Sequence, residues 1–168
     1  MLGINIPEDE QGNWKVEIDN GECSLVKLSL GYSIMKDSQY EYDAHQWLWD
    51  NATGDIFIGG LGIGFLNKEL IDNHNFNSVT IIENSQDVID LVWPYCARDS
   101  RFTLIHADIE TWTPPAGSHW DVGWFDTYLG DNPLSINGYF SAMKAKYGPF
   151  CDKMGTRLVD NDLHDFVV

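Results

Sequence analysis

Between the apolar run Asp55-Ile56-Phe57-Ile58 and a helix-like segment that starts at Phe65 stands Gly59-Gly60-Leu61-Gly62-Ile63-Gly64. Four glycines in six residues, at the point where a strand gives way to a helix, leave few architectures open. Glycine permits the tight reversal, and its missing Cβ lets a ligand approach the backbone near a helix N-terminus. Gly60, Gly62 and Gly64 read G-x-G-x-G. The dinucleotide fingerprint G-x-G-x-x-G needs glycine where Phe65 stands, and the Gly-Lys-Ser/Thr of a phosphate loop does not follow. Such a loop can serve chain packing alone, but its place after the first parallel-type strand points to a ligand.

The rhythm around the loop supports that reading. Residues 78–83, 101–106 and 120–125 are short runs rich in branched and aromatic residues, and a last strand is expected at 156–159. Helical spacing is expected over 65–73, from Ser85 through Val88, Ile89, Val92 and Tyr95, and over 135–146. Strands alternating with helices predict an α/β fold, a Rossmann-like doubly wound parallel sheet of about five core strands. Before the loop, Trp14, Val16 and Ile18 alternate with polar residues, Asn20-Gly21 supplies a turn, and residues 23–30 follow. That pattern predicts a β-hairpin, and residues 38–51, capped by Ser38, predict a helix. The expected organisation is one domain over 1–168, with the hairpin and helix in 1–53 and the ligand-binding core in 54–168. No apolar run is long enough to span a bilayer, and the first ten residues lack the basic start of a secretion signal, so a cytoplasmic chain is expected.

Ligands of doubly wound sheets sit beyond the carboxyl ends of the strands. An acid stands at each such end: Glu83, Asp108 and Asp126. Glu83 lies about 20 residues beyond the loop, where a carboxylate can accept both ribose hydroxyls. Ten basic residues against 26 acidic ones give a net charge of −16. That surface lacks the footprint of a nucleic-acid partner and would draw in a small cation, or it serves solubility alone. Three scattered cysteines, Cys23, Cys96 and Cys151, fit reduced thiols. His45, His74, His106, His119 and His164 show no paired ligand spacing, and Asp160 and Asp162 around Asn161 read as a turn, so no metal site is expected. Seven tryptophans leave a homodimer open.

From Asp55 to about Leu129 the chain resembles class I S-adenosylmethionine-dependent methyltransferases, and within them the spermidine synthase-like branch. The resemblance is carried by the glycine loop, by Val79-Thr80-Ile81-Ile82-Glu83-Asn84-Ser85-Gln86-Asp87-Val88-Ile89, by Phe102-Thr103-Leu104-Ile105-His106-Ala107-Asp108 and by Trp120-Asp121-Val122-Gly123-Trp124-Phe125-Asp126. It implies that Gly59, Gly60, Leu61, Gly62 and Gly64 pass the methionine part of the cofactor. It further implies that Glu83, with Asn84 in the same set, holds the ribose, and that Asp108 and Ile109 meet the adenine. Asp126 resembles the aspartate that holds and deprotonates the attacking amine in spermidine synthases, and it counts with both the cofactor set and the catalytic one. Tyr42 is similar to a tyrosine before the first core strand of those enzymes. Two departures stand out. Ile58 occupies a position that is acidic in many methyltransferases, and the segment after Asp126 lacks the family's Asp-Ser-Ser/Thr-Asp-Pro. Full members also continue for two strands beyond the fifth, for which little sequence remains here. The implied activity is methyl transfer from S-adenosylmethionine to a small, cationic acceptor such as an amine. The alternatives are aminopropyl transfer from the decarboxylated cofactor, and cofactor binding or consumption without transfer. Such chemistry needs an aligned nucleophile and a dry pocket, for which Trp124 and Tyr128 are candidate walls.

Overall fold

The computed structural model describes residues 1–157 and 165–167. Its larger sheet has six strands: β5 (Gly54–Gly59), β6 (Phe76–Glu83), β7 (Phe102–His106), β8 (Trp120–Phe125), β9 (Cys151–Gly155) and β10 (Asp165–Val167). Their order is β10-β9-β8-β5-β6-β7, and all neighbours are parallel except β10, which runs antiparallel to β9. The chain leaves β5 outward through β6 and β7, then returns to β8 on the other side. A switch point therefore opens between β5 and β8, where doubly wound sheets take their ligands.

Alternation in the strands feeds two core layers. Ile56, Ile58, Val79, Ile81, Val122 and Trp124 face one layer with Phe65 and Leu70 of α3 (Phe65–Asn73) and Val88 of α4 (Gln86–Val92). Phe57, Ile82 and Phe125 face the other with Tyr139, Phe140, Met143 and Tyr147 of α5 (Ile136–Tyr147). Helix starts follow the expected chemistry: Ser85 Oγ accepts from the Val88 N–H at 3.3 Å, and Ser135 Oγ accepts from Gly138 at 3.1 Å.

The N-terminal segment forms a second, antiparallel sheet: β1 (Asp9–Gln11), β2 (Trp14–Asp19), β3 (Glu22–Lys27) and β4 (Tyr32–Lys36), in that order. The expected β2–β3 hairpin is present. Asn20 and Gly21 take φ of 52° and 83°, the paired left-handed conformation of a two-residue hairpin turn. Strands β1 and β4 are additions to the sequence reading, and of the alternating Trp14, Val16 and Ile18 the last is exposed near the end of β2. The single helix expected over 38–51 is two, α1 (Gln39–Ala44) and α2 (Gln46–Asn51), joined at His45. Ser38 caps the first through the Glu41 N–H at 3.2 Å.

Other expectations shift. Helix α4 stops at Val92, and Tyr95 lies exposed on a 3-10 turn where Pro94 has removed a backbone donor. The last parallel strand is Cys151–Gly155 rather than 156–159, and Thr156 follows it as a buried tether, donating to the Phe125 carbonyl at 2.6 Å. Leu158, Val159, the turn at Asp160, Asn161 and Asp162, and His164 lie outside the described residues. Among the described residues no helix is long and apolar enough to cross a membrane.

Candidate functional site

A cavity of about 450 Å³ opens at the carboxyl ends of β5, β6, β7 and β8, within the range of small-molecule pockets. Gly59, Gly60, Gly62, Glu83, Asn84, Asp108, Ile109 and Asp126, the residues singled out from the sequence, all line it. Leu61 and Gly64 do not. The Leu61 side chain is buried in the core, and a Cβ at Gly64 would overlap the Cys96 sulfur on the far side of the loop.

The loop is shaped by two glycines in particular. Gly60 has φ of 91° and donates its N–H to the Ile82 carbonyl at 2.7 Å, which pins the turn to the neighbouring strand. Gly62 has φ of 56°, and a Cβ there would overlap the sulfur of Met35, which reaches over the loop from β4. A side chain at either position would be strained by its backbone angle as well.

Glu83 ends β6 and is 8% exposed. One of its oxygens accepts from the Leu61 N–H and the other from the Ser85 N–H, each at 2.9 Å. Burial pushes its carboxyl up, and the backbone donors oppose that shift. Each oxygen keeps a free lone pair for further donors, such as hydroxyls in the cavity. Beyond β7, Asp108 Oδ1 accepts from the Glu110 N–H at 2.8 Å, a turn that folds Ile109 beneath Gly59. The Ile109 carbonyl receives the Tyr147 hydroxyl at 2.6 Å, so α5 holds this rim in place. Asn132 donates to Glu110 at 3.1 Å and joins the loop after β8 to the same rim.

Asp126 ends β8 on the other side of the switch point. Its Oδ2 lies 3.5 Å from Nε2 of His45, which is fully buried and also lines the cavity. His45 Nδ1 is 2.7 Å from the Glu41 carbonyl oxygen. The Glu41 carboxylate is 3% exposed, and its Oε2 accepts from Arg157 at 3.0 Å. Burial pushes the Glu41 carboxyl up, while the Arg157 guanidinium pulls it down. Sequence reasoning missed Glu41, His45 and Arg157. Glu41 and His45 stand four residues apart, a visible signal, but the partners Asp126 and Arg157 join them only through the tertiary fold.

The antiparallel sheet contributes the roof. Trp14, Leu25, Tyr32 and Met35 line the cavity from above, and Lys27 pairs with Asp131 at 2.7 Å across its mouth. Trp124 and Tyr128, the expected walls, both line it as well. Tyr42 does not: its hydroxyl donates to Glu69 at 3.1 Å, on the far side of α3.

No protein-family model matches the sequence, and no curated protein matches it. Solved structures do. The N-methyltransferase NodS from Bradyrhizobium japonicum, in complex with S-adenosyl-L-homocysteine, is similar with a TM-score of 0.54 at 16% identity, over 71% of this chain and 62% of that one. A candidate RNA methyltransferase from Pyrococcus horikoshii gives 0.52 at 15% identity, over 68% and 56%. The glycopeptide N-methyltransferase MtfA, complexed with S-adenosyl-L-methionine, gives 0.50 at 15% identity, over 68% and 52%. The matches thus span between half and two thirds of the length of those proteins. At such identities the likeness is one of fold. The parallel sheet, the glycine turn after its first strand and the flanking helices are those of the Rossmann-like methyltransferase fold.

Proposed function

We propose that the chain binds S-adenosylmethionine in this cavity and transfers its methyl group to a small cationic acceptor, an amine in the first place. The observation that carries the reading is the convergence of a glycine cradle and three strand-end acids on one cavity at the switch point. The cradle fits the group: Gly60 and Gly62 have no side chain to block it, and Glu83 is fixed with lone pairs to spare. Glu83 takes the ribose hydroxyls, Asn84 stands beside it, Asp108 meets the adenine amino group and Ile109 supports the ring. When bound, the cofactor supplies an electrophilic sulfonium methyl carbon. Asp126, at the end of β8, orients the acceptor amine and takes its proton, while Trp124 and Tyr128 keep water from the reacting atoms. Although one similar structure is a candidate RNA methyltransferase, the net charge of −16 supports a small cation over a phosphate backbone.

Calorimetry with S-adenosylmethionine, then product analysis over a panel of small amines, tests the reading. Asp126→Asn should keep cofactor affinity within a few-fold and lower turnover by about 10²–10⁴-fold. Equal product from both proteins removes Asp126 from the chemistry. Binding without any product favours a cofactor-binding protein, and product only from the decarboxylated cofactor favours aminopropyl transfer.

A further inference from the structure

The geometry points to a divalent metal ion, of the zinc class, held by Glu41, His45 and Asp126 at the inner wall of the cavity. The Glu41 carbonyl can only accept, so its 2.7 Å contact places the proton of a neutral imidazole on Nδ1. Nε2 is then left with a lone pair, and it faces Asp126 Oδ2. Glu41 joins them, one ligand atom from each of the three residues lying within 4.8 Å of the others, and its Oε1 is 3.7 Å from His45 Nδ1. Both His45 Nε2 and Glu41 Oε1 are buried without a hydrogen-bond partner. Each such orphan costs free energy unless a positive group sits against it.

Distance separates the candidates for that charge. A direct N–H···O bond would bring Nε2 and Oδ2 to about 3 Å, and the observed 3.5 Å is longer. An ammonium nitrogen about 2.8 Å from each acceptor in tetrahedral directions would spread them to about 4.6 Å. A tetrahedral ion about 2.1 Å from each holds them about 3.4 Å apart. The Nε2–Oδ2 spacing is close to that of the metal.

The surroundings fit as well. A ligating histidine commonly donates its other nitrogen to a backbone carbonyl, as His45 does to Glu41. Arg157 holds Oε2 of Glu41 and leaves Oε1 for the ion. His45 and Asp126 line the cavity, so a fourth position opens toward it, the pattern of a catalytic zinc site with three protein ligands. On the methyl-transfer reading, that position would hold an oxygen of the acceptor and orient it, leaving the lone pair of the attacking nitrogen free. Asp126 keeps its second oxygen for the acceptor. The role rests on that reading, whereas the ion's presence does not.

The test uses the full chain, freed of metal and titrated with Co²⁺ in the absence of S-adenosylmethionine. One equivalent should develop the visible absorption of tetrahedral Co²⁺, and Zn²⁺ should displace it. Asp126→Asn and His45→Gln should each weaken Co²⁺ binding at least about tenfold. The exposed cluster of His119, Asp121 and Asp152 is the rival site, so His119→Asn should leave the titration unchanged. Loss of the band in His119→Asn, or its survival in Asp126→Asn, overturns the proposal. So does the absence of a band in the wild type, an outcome that holds even if His45→Gln does not fold. Calorimetry with S-adenosylmethionine on metal-free protein reports on the cofactor reading separately, so the two can fail independently.

Discussion

Glu83 gives one oxygen to the Leu61 N–H and the other to the Ser85 N–H, so it braces the glycine loop as well as lining the cavity. Replacing it with alanine removes the acceptor from two backbone donors, which should lower unfolding free energy by about 1–3 kcal/mol. Cofactor affinity should fall by about 1.5–3 kcal/mol, the worth of charge-assisted hydrogen bonds to the ribose. Urea melts and calorimetry on the same Glu83→Ala protein separate the two losses. Unchanged affinity in the folded variant would remove Glu83 from the ribose site. The raised pKa adds a pH dependence. Hydroxyls donate best to the ionised carboxylate, so affinity should fall about tenfold per pH unit once the pH drops below Glu83's folded pKa. Stability runs the other way. A carboxyl raised by burial favours folding below its unfolded pKa, and that contribution is lost as pH rises through the folded value. Opposite slopes for binding and stability identify Glu83 as the group responsible.

Helix α5 shows what an element does for the site at a distance. Its last residue, Tyr147, is fully buried and donates to the Ile109 carbonyl, fixing the rim that carries Asp108. Tyr147→Phe leaves that carbonyl without its partner and should cost about 1–3 kcal/mol in stability. Affinity for adenosine should drop with it, because the rim loses its anchor; equal affinity would show the rim is held by other means. The same elements explain what could be read from the chain. Strands β5, β6, β7 and β8 were legible because branched and aromatic residues cover both their faces, and their phase placed Glu83, Asp108 and Asp126 correctly at the strand ends. Strand β1, Asp9-Glu10-Gln11, is exposed throughout and has no apolar alternation to betray it. Strand β9 carries Asp152-Lys153 and ends in glycine, so the branched residues just beyond it drew the expectation too far along the chain. His45 breaks the helix after Ala44 with backbone angles that no residue type signals. Its partner Asp126, and Arg157 on Glu41, are distant in sequence, beyond the reach of any spacing rule.

Over the whole molecule, acids outnumber bases by 16. Six of the bases already sit against acids: Lys15 on Glu17, Lys27 on Asp131, Lys36 on Glu22, Lys68 on Asp72, Arg101 on Asp99 and Arg157 on Glu41. Matched pairs consume much of the positive charge and leave the surplus carboxylates facing one another across the surface. The two sets respond differently to salt. Partners in contact lie well inside a Debye length of about 10 Å at 0.1 M, whereas repulsion among dispersed acids acts over that length and beyond. Added salt should therefore relieve repulsion more than it weakens pairing, and folding should gain. Raising NaCl from about 10 mM to about 500 mM should lift the melting temperature by a few degrees, in line with a gain of about 1 kcal/mol. Over the same range the KM of a cationic acceptor should rise and that of a neutral analogue should stay level, since only the former is drawn in by the field. A melting temperature that falls steadily with salt would mean that the paired charges, not the surplus acids, dominate the electrostatics of this fold.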